Sequence, residues 1–269
     1  MSELLGPRHP DVRALRDILR DRGARDEARR FALEGPRLLA AALDRDTDDL
    51  VCFFDPRAED RWPDLLARAR ARGARMRGLA DGVAGRVGDT VTSQGVITTA
   101  PLVRRGGEVI AELAPDSLMV VCVAVSDPGN AGTLVRSAEA AGFDAVLFGE
   151  GSVDAYNPKT VRASAGAVLG VPIAEGVNAV EILEALGERG VRRIGTVATG
   201  GDPYDSIDLR GPAAVVLGHE ARGLGAGMPL DALVTIPMSG RAESLNLATA
   251  AGVLFFEAAR ARRTREARP

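Results

Sequence analysis

Polar side chains suited to catalysis gather in three short stretches, each of which follows an apolar run. The stretches are NAGTLVR (130–136), GHEARGLG (218–225) and IPMSGRAESLN (236–246). They contain the amides of Asn130 and Asn246, the guanidinium of Arg136, the carboxylate of Glu220 and the hydroxyl of Ser244. Amide and guanidinium groups donate hydrogen bonds to substrate oxygens, and a carboxylate can orient those donors. These five residues are therefore the candidate catalytic set.

The first stretch is typical of the start of a helix. Asn130 belongs to the residue types preferred at an N-cap, and the glycines beside it leave the turn open. The pattern predicts a helix over 131–141 with an apolar stripe on one face. That stripe consists of Ala131, Leu134, Val135 and Ala138. Arg136 lies off the stripe, so it either pairs in solvent with Glu139 or Glu150 or contacts a ligand.

The glycine pattern of this turn disfavours two common kinds of nucleotide site. The dinucleotide fingerprint G-x-G-x-x-G is absent, and no lysine stands where a phosphate-binding loop requires one. Lys159 is the only lysine of the chain. A nicotinamide-dependent oxidoreductase, which the α/β pattern and the glycines would otherwise permit, is therefore disfavoured.

The other two stretches also follow predicted strands. The glycines after Gly218 let a ligand approach the backbone beside Glu220, at the strand ends where open α/β sheets bind ligands. Glu220 is otherwise explained as a structural loop acid, and His219 is interpreted as structural. Ser244 is predicted to cap the last long helix. Asn246 then falls in the first turn of that helix, which is an unusual position for Asn.

The chain is long enough for two packed domains. It has 269 residues, of which 46% are hydrophobic. Apolar strands alternate with amphipathic helices, which predicts an α/β architecture with a parallel sheet in the second part. We expect a small α/β domain over 1–105, a linker over 106–117 and a catalytic domain over 118–269. The linker is predicted from a Gly-Gly pair, a proline and mixed charges.

Bulk composition narrows the class of protein further. The formal net charge of −3 disfavours a strongly basic nucleic-acid binder, although the first 105 residues carry a modest excess of Arg. Cys52 and Cys122 lie in apolar runs and are predicted to be buried free thiols. Only two histidines are present, which excludes a His-rich metal site. No apolar run reaches about 20 residues, so we expect a soluble cytoplasmic protein without a metal or a membrane partner.

Together the three stretches resemble the motifs of the SpoU/TrmH family of RNA ribose 2′-O-methyltransferases. The first resembles N-x-G-x-x-x-R, the second G-x-E-x-x-G-[LI], and the third I-P-M-x-G-x-x-x-S-L-N. The matching positions are Asn130, Gly132, Arg136, Gly218, Glu220, Gly223, Leu224, Ile236, Pro237, Met238, Gly240, Ser244, Leu245 and Asn246. All three motifs occur in the order and spacing of the family, within residues 118–260.

This resemblance implies a fold, a cofactor and an assembly. The expected fold is α/β, with a C-terminal parallel-sheet domain that carries a trefoil knot of the SPOUT type, preceded by a small α/β RNA-binding domain. The expected cofactor is S-adenosyl-L-methionine. Its implied binding residues are Leu217, Gly218, Ile236, Met238, Ser244, Leu245 and Asn246. The family also implies a homodimer with the active site near the subunit interface.

The resemblance implies 2′-O-methylation of a ribose in structured RNA, and the accessory domain favours 23S ribosomal RNA. The alternatives are a tRNA 2′-O-methyltransferase and a non-catalytic RNA-binding module of the same fold. An antibiotic-resistance enzyme would carry out the same class of reaction. Arg136 is expected to clamp a phosphate and stabilise the developing alkoxide, because a guanidinium stays protonated. Asn130, Ser244 and Asn246 would orient it and the ribose, and Glu220 would fix Arg136 or its loop.

A surface for the RNA backbone is predicted in the first domain. Arginine forks suit phosphate oxygens, and contacts with phosphates supply affinity without reading sequence. The candidate residues are Arg13, Arg16, Arg20, Arg29, Arg30, Arg37, Arg68, Arg70 and Arg72. The competing explanation is an ordinary solvated surface on which these arginines pair with Asp side chains.

Overall fold

The computed structural model describes residues 4–88 and 93–266, with side chains described as far as residue 263. The strands are β1 Arg30–Glu34, β2 Val51–Phe54, β3 Arg75–Gly78, β4 Val96–Pro101, β5 Leu118–Cys122, β6 Ala145–Gly149, β7 Ile173–Val177, β8 Arg192–Thr196, β9 Asp202–Pro203, β10 Ala213–Leu217 and β11 Ala232–Thr235. The helices are α1 Pro10–Arg20, α2 Arg22–Ala28, α3 Pro36–Asp44, α4 Pro56–Arg61, α5 Pro63–Ala71, α6 Val83–Val87, α7 Val109–Glu112, α8 Pro128–Ala140, α9 Pro158–Ala163, α10 Ala179–Glu188 and α11 Leu247–Glu266.

Two compact units make up the chain. The first comprises the residues up to Val103 together with Tyr156–Leu169. The second comprises Arg104–Ala155 and the residues from Gly170 onward. None of the described helices is both long and apolar enough to cross a membrane.

The first unit contains a mixed four-stranded sheet in the order β1-β4-β2-β3. β4 pairs antiparallel with β1 and β2, whereas β3 pairs parallel with β2. Helix α1 begins at Pro10, because the fixed φ of proline suits the first helical position. The helix buries one apolar stripe, which consists of Val12, Leu15, Ile18 and Leu19.

The segment Tyr156–Leu169 packs with the first unit, although the sequence placed it inside the catalytic domain. The ring of Tyr156 lies 5.0 Å from that of Phe31 in β1. Arg162 of α9 donates from Nη1 to Glu34 Oε2 at 2.9 Å, and the Glu34 side chain is only 5% exposed. An apolar ring contact and a nearly buried ion pair therefore hold a segment that lies far away in sequence.

The segment predicted to be a linker, 106–117, is structured. It contains helix α7, and the side chains of Val109 and Ile110 are buried in the core of the second unit. The Gly-Gly pair and the proline do make turns on either side of this helix. The two apolar residues between them bury their side chains, however, so this segment belongs to the packed domain.

The second unit contains a seven-stranded sheet in the order β7-β6-β5-β10-β8-β11-β9. Every neighbouring pair is parallel, which confirms the predicted parallel sheet. The residues of β5, β6 and β10 are buried throughout, as expected for strands that are covered on both faces. Helix α8 packs against α11, where the rings of Phe143 and Phe255 lie 4.6 Å apart.

Strands β5 and β10 are neighbours near the middle of this sheet, with Cys122 opposite Leu217 at their carboxyl ends. The pairing continues one residue further, because Val123 N donates to Leu217 O at 2.7 Å. β6 lies beyond β5 on one side, and β8 lies beyond β10 on the other. The loops that leave β5 and β10 therefore emerge side by side, at the kind of crevice where open α/β sheets bind ligands.

Both cysteines are free and buried, as predicted. Burial raises the pKa of the Cys52 thiol to about 11, and burial raises the pKa of the Cys122 thiol further. Both thiols are therefore protonated near neutral pH and unsuited to nucleophilic chemistry.

Candidate active site

Glu220 joins the loop after β10 to the turn that follows β5. Its Oε2 accepts hydrogen bonds from Ser126 N at 3.4 Å and Ser126 Oγ at 3.2 Å. Its Oε1 accepts from Asp127 N at 3.1 Å and from Asn130 Nδ2 at 3.3 Å. The carboxylate therefore sits at the N-terminus of α8, where the orphan N–H groups and the helix dipole favour negative charge.

These hydrogen bonds keep Glu220 ionised. Burial by itself raises the pKa of this carboxyl. Donors at the backbone of Glu220 and Asp127, at the Asn130 side chain and at the backbone of Ser126 outweigh burial and lower the pKa to about 2. The carboxylate is thus a fixed acceptor rather than a proton donor or base near neutral pH.

Asn130 and Asn246, which are predicted catalytic residues, contact one another. Asn246 Nδ2 donates to Asn130 Oδ1 at 2.9 Å, and Asn130 Nδ2 in turn donates to Glu220. Asn246 Oδ1 accepts from Ala248 N at 2.9 Å and Thr249 N at 3.3 Å. One continuous hydrogen-bond relay therefore links the start of α11, through two amides, to the start of α8.

The structure corrects the predicted N-cap of α8. The helix begins at Pro128, and Asp127 caps it by accepting from Asn130 N at 2.7 Å. The Asp-Pro pair takes the cap and first helical positions, because Asp is a preferred cap and proline is favoured at the first position. Asn130 lies inside the first turn, so its side chain is available for the relay.

The predicted cap of α11 is also wrong. Asn246, rather than Ser244, accepts from the first N–H groups of the helix, which starts at Leu247. Asn246 is therefore outside the helix, in the position that Asn prefers. Ser244 is exposed and lines the neighbouring cavity.

The loop after β10 forms a tight turn over 218–223. His219 N donates to Gly223 O at 3.1 Å, and Gly223 N donates to His219 O at 2.8 Å. A side chain at Gly218 would place its Cβ 2.3 Å from the carbonyl carbon of Gly223. Gly223 has a φ of +64°, which glycine adopts without strain. Both glycines are therefore required by the turn itself.

A cavity of about 510 Å³ lies beside this turn. Its lining includes five of the predicted cofactor residues, which are Gly218, Ile236, Met238, Ser244 and Leu245. Glu220 is also on its wall. Leu217, which is fully buried at the end of β10, and Asn246 are outside the lining, as are Asn130 and Arg136.

Several cavity residues were missed by sequence reasoning. They are Thr196, Val197, Ala198, Thr199, His219, Ala221, Arg222, Val234, Leu247, Ala250 and Leu254. The segment 196–199 leaves the carboxyl end of β8, which is the neighbour of β10. Only the strand order brings this segment to the site.

The side chain of Arg136 is exposed on α8, and within the described residues it makes no hydrogen bond or salt bridge. Of the two alternatives for Arg136, the solvent pairing with Glu139 or Glu150 is therefore not formed. No three His, Cys, Asp or Glu side chains come together as a metal site among the residues that the structure describes.

Comparison with known proteins identifies the family of this chain. The model of the SpoU rRNA Methylase family matches residues 117–256. The chain belongs to the SpoU rRNA methylase family. The matched range includes all three motifs, from Asn130 to Asn246.

Individual SpoU relatives cover different shares of the chain. The 23S rRNA (guanosine(2553)-2′-O)-methyltransferase RlmP of Bacillus subtilis is 37% identical over 147 residues, which is 54% of this chain and 59% of that protein. An uncharacterized tRNA/rRNA methyltransferase of Mycobacterium avium is 34% identical over 84% of this chain and 71% of its own length.

A solved SpoU-like structure covers both units of the chain. The AdoMet-bound rRNA methyltransferase of Sinorhizobium meliloti is 29% identical, with a TM-score of 0.78 over 94% of this chain and 95% of its own. The similarity thus includes the first unit as well as the family region, whereas the match to the B. subtilis protein spans little more than half of either chain.

Proposed function

We propose that this protein transfers a methyl group from S-adenosyl-L-methionine to a ribose 2′-hydroxyl of structured RNA, with 23S ribosomal RNA as the favoured substrate. The observation that carries this proposal is the relay from Asn246 through Asn130 to Glu220, which joins the three SpoU motifs beside one cavity. The name of the B. subtilis relative supports the ribosomal substrate, and the name of the M. avium relative leaves tRNA as the alternative.

The cavity fits such a cofactor by its size and its lining. Ligand sites of this size class enclose roughly 300–1,000 Å³ and combine apolar walls with a few polar groups. Leu224, Ile236, Met238 and Leu245 supply apolar surface, and Ser244 and Glu220 supply polar groups. Once bound, S-adenosyl-L-methionine would supply a methyl group that the positive charge of its sulfur already activates.

Arg136 would act on the RNA rather than on the cofactor. Its guanidinium remains protonated under ordinary conditions, so it is a poor base. Because the side chain is exposed and has no partner among the described residues, it is available to clamp a phosphate and stabilise the negative charge that develops on the 2′-oxygen. The 2′-hydroxyl proton would pass to a phosphate oxygen or to water.

The relay would hold the side-chain amides of Asn130 and Asn246 in fixed orientations. Glu220 orients the amide of Asn130, and the first turn of α11 orients the amide of Asn246. A donor with a fixed orientation does not have to reorganise during the reaction, which is how preorganised polar sites lower barriers. Ser244 is exposed at the cavity wall and would contact the ribose.

The first unit would bind the RNA backbone. Three of the nine predicted arginines are taken up by carboxylates, because Arg30 pairs with Asp49, Arg68 with Asp44 and Arg72 with Asp46. The guanidinium groups of five others make no hydrogen bond or salt bridge within the described part of the chain, and they belong to Arg16, Arg20, Arg29, Arg37 and Arg70. These unpaired guanidiniums support a phosphate-binding surface.

Three expectations from the family remain part of the proposal, namely the trefoil knot, the homodimer and the cytoplasmic location. We place Phe256, which is on the long helix α11 and is 52% exposed, in the interface of the proposed homodimer. A Phe256→Asp variant should sediment as a monomer if α11 forms the interface. An unchanged sedimentation coefficient would contradict that interface.

The experiment that tests the proposed function is methyl transfer from tritiated S-adenosyl-L-methionine to total ribosomal RNA and, separately, to total tRNA. Both RNAs should come from cells that lack this gene. Label in ribosomal RNA that survives alkali within a dinucleotide would support ribose methylation. Label in tRNA alone would overturn the substrate, and no label in either RNA would favour the binding-module alternative.

A further inference from the structure

One charged side chain in the turn over 218–223 makes no hydrogen bond or salt bridge among the described residues. The two backbone hydrogen bonds between His219 and Gly223 fix its base, and Ala221 N donates to His219 Nδ1 at 3.0 Å across its tip. Glu220 is held by the turn before α8. Arg222 is exposed, and it has no hydrogen bond or salt bridge with any residue that the structure describes.

Arg222 also lines the cavity, together with the residues expected to hold the cofactor. Among the lining residues it is the only one with a permanent positive charge, since the other ionisable side chains are Glu220 and His219. The carboxylate of Glu220 accepts four hydrogen bonds from the turn before α8, and among the described residues it forms no ion pair with Arg222. The cavity therefore presents an exposed guanidinium fork, unpaired among the described residues, on a turn that two backbone hydrogen bonds close.

We infer that Arg222 binds the α-carboxylate of S-adenosyl-L-methionine. This inference rests on the proposed function, because it takes the cavity as the cofactor site. The carboxylate is the only anionic group of that molecule, and a guanidinium fork matches carboxylate geometry with two parallel hydrogen bonds. Arg222 is thus a specificity residue that selects the amino-acid end of the ligand.

The demethylated product, S-adenosylhomocysteine, carries the same carboxylate. Arg222 therefore stabilises substrate and product complexes alike, and it makes no interaction that is exclusive to the transition state. Such uniform binding sets KM and affinity without raising kcat. Loss of Arg222 should raise KM for the cofactor and leave kcat nearly unchanged at saturation.

The test is calorimetric titration of the full chain with three ligands, namely S-adenosyl-L-methionine, S-adenosylhomocysteine and 5′-methylthioadenosine, which lacks the amino-acid end. The variant is Arg222→Met. The matched control is Arg241→Met, which removes an exposed arginine that does not line the cavity. We expect Arg222→Met to weaken binding of the first two ligands by a similar factor, roughly 10- to 100-fold, and to leave binding of 5′-methylthioadenosine unchanged.

Every other outcome contradicts either the proposed function or the role of Arg222. If the wild-type protein binds none of the ligands, the proposed function fails. If wild type and Arg222→Met bind the cofactor equally, the function stands and the Arg222 inference is overturned. An equal loss of affinity for 5′-methylthioadenosine would show that Arg222 only shapes the turn. A raised KM for RNA with unchanged cofactor affinity would assign Arg222 to a phosphate instead.

Discussion

Asn246 Nδ2 donates a 2.9 Å hydrogen bond to Oδ1 of Asn130, which lies 116 residues earlier in the chain. Hydrogen bonds to other groups determine which of the two amides donates. Two backbone N–H groups of α11 occupy Asn246 Oδ1, so only the amide nitrogen is left to face Asn130. Asn130 must then present its oxygen to Asn246 and its nitrogen to Glu220. The orientation of two amides is thereby fixed by the start of one helix.

Replacing the amide nitrogen with which Asn246 donates to Asn130 should lower methyl transfer without unfolding α11. Asn246→Asp keeps a good cap but places a carboxylate oxygen against Asn130 Oδ1, so Asn130 loses its orientation. We expect methyl transfer to fall by roughly 100-fold with little change in Tm. Asn246→Ser, which keeps the cap without adding charge, should lose less activity. Equal activity of Asn246→Asp and wild type would contradict a role for the relay.

Arg136→Ala should remove catalysis and spare binding of the cofactor. The side chain is exposed and makes no hydrogen bond or salt bridge within the described structure, so we expect little change in Tm. Losing a group that stabilises developing negative charge costs on the order of 10²- to 10³-fold in kcat. Arg136→Lys, which retains the charge but not the fork, should be intermediate. A parallel loss of cofactor affinity and of Tm would instead make Arg136 structural.

Glu220 should contribute to stability in a pH-dependent way. Its folded pKa of about 2 lies below the ordinary value of 4.5, so its stabilisation is fully present above about pH 4.5 and is lost as the pH falls towards 2. The difference in free energy of unfolding between wild type and Glu220→Gln should therefore shrink over that window, as measured by urea denaturation. A difference that is constant from pH 7 to pH 3 would contradict the lowered pKa.

Glu220→Gln and Glu220→Ala should lower the free energy of unfolding by different amounts. Gln can keep its oxygen towards Asp127 N and Asn130 Nδ2 while its amide donates to Ser126 Oγ. Only Ser126 N then loses its acceptor, so we expect a cost of about 1 kcal/mol at neutral pH. Glu220→Ala leaves those donors without an acceptor and should cost about 2–3 kcal/mol. Equal costs for the two variants would mean that the hydrogen bonds carry little of the effect.

Gly218→Ala should disrupt the turn beside the cavity. The new Cβ would lie 2.3 Å from the carbonyl carbon of Gly223, which is backbone and cannot rotate away, so the turn must shift. We expect a loss of about 1–3 kcal/mol in stability together with loss of cofactor binding. Gly225→Ala is the matched control, because no atom lies within 4 Å of the Cβ it would add. Similar effects of both substitutions would rule out the close approach as the cause.

The unpaired arginines of the first unit should govern the salt dependence of RNA binding. We expect the triple variant Arg16→Gln, Arg20→Gln, Arg29→Gln to weaken binding and to lower the salt slope by about 1 for each phosphate that is no longer neutralised. The control is Arg68→Gln with Arg72→Gln, whose guanidiniums are already paired with Asp44 and Asp46. Point variants are preferable to deleting 1–105, because Tyr156–Leu169 packs with that unit. Unchanged RNA affinity in the triple variant would contradict the proposed surface.

Local sequence patterns determined a large part of this protein. The stripe of α1, the buried runs of the parallel strands and the motif spacings from Asn130 to Asn246 all follow from period, residue type and order along the chain. Each of these features depends only on residues that are close to it in the sequence, and for that reason it can be predicted from the sequence. The motif spacings were also sufficient to indicate the SpoU family.

Tertiary structure decided which of those residues touch. The amide relay joins residues that are 90 and 116 positions apart, so no local pattern contains it. The caps at Asp127 and Asn246, by contrast, follow from the preferences of neighbouring residues, which were assigned to the wrong positions in the sequence. The placement of Tyr156–Leu169 with the first unit depends on burial against β1, and Arg222 enters the cavity lining only through the turn after β10. Sequence patterns give the period and type of each element, but the strand order that sets these neighbours is a property of the whole packed chain.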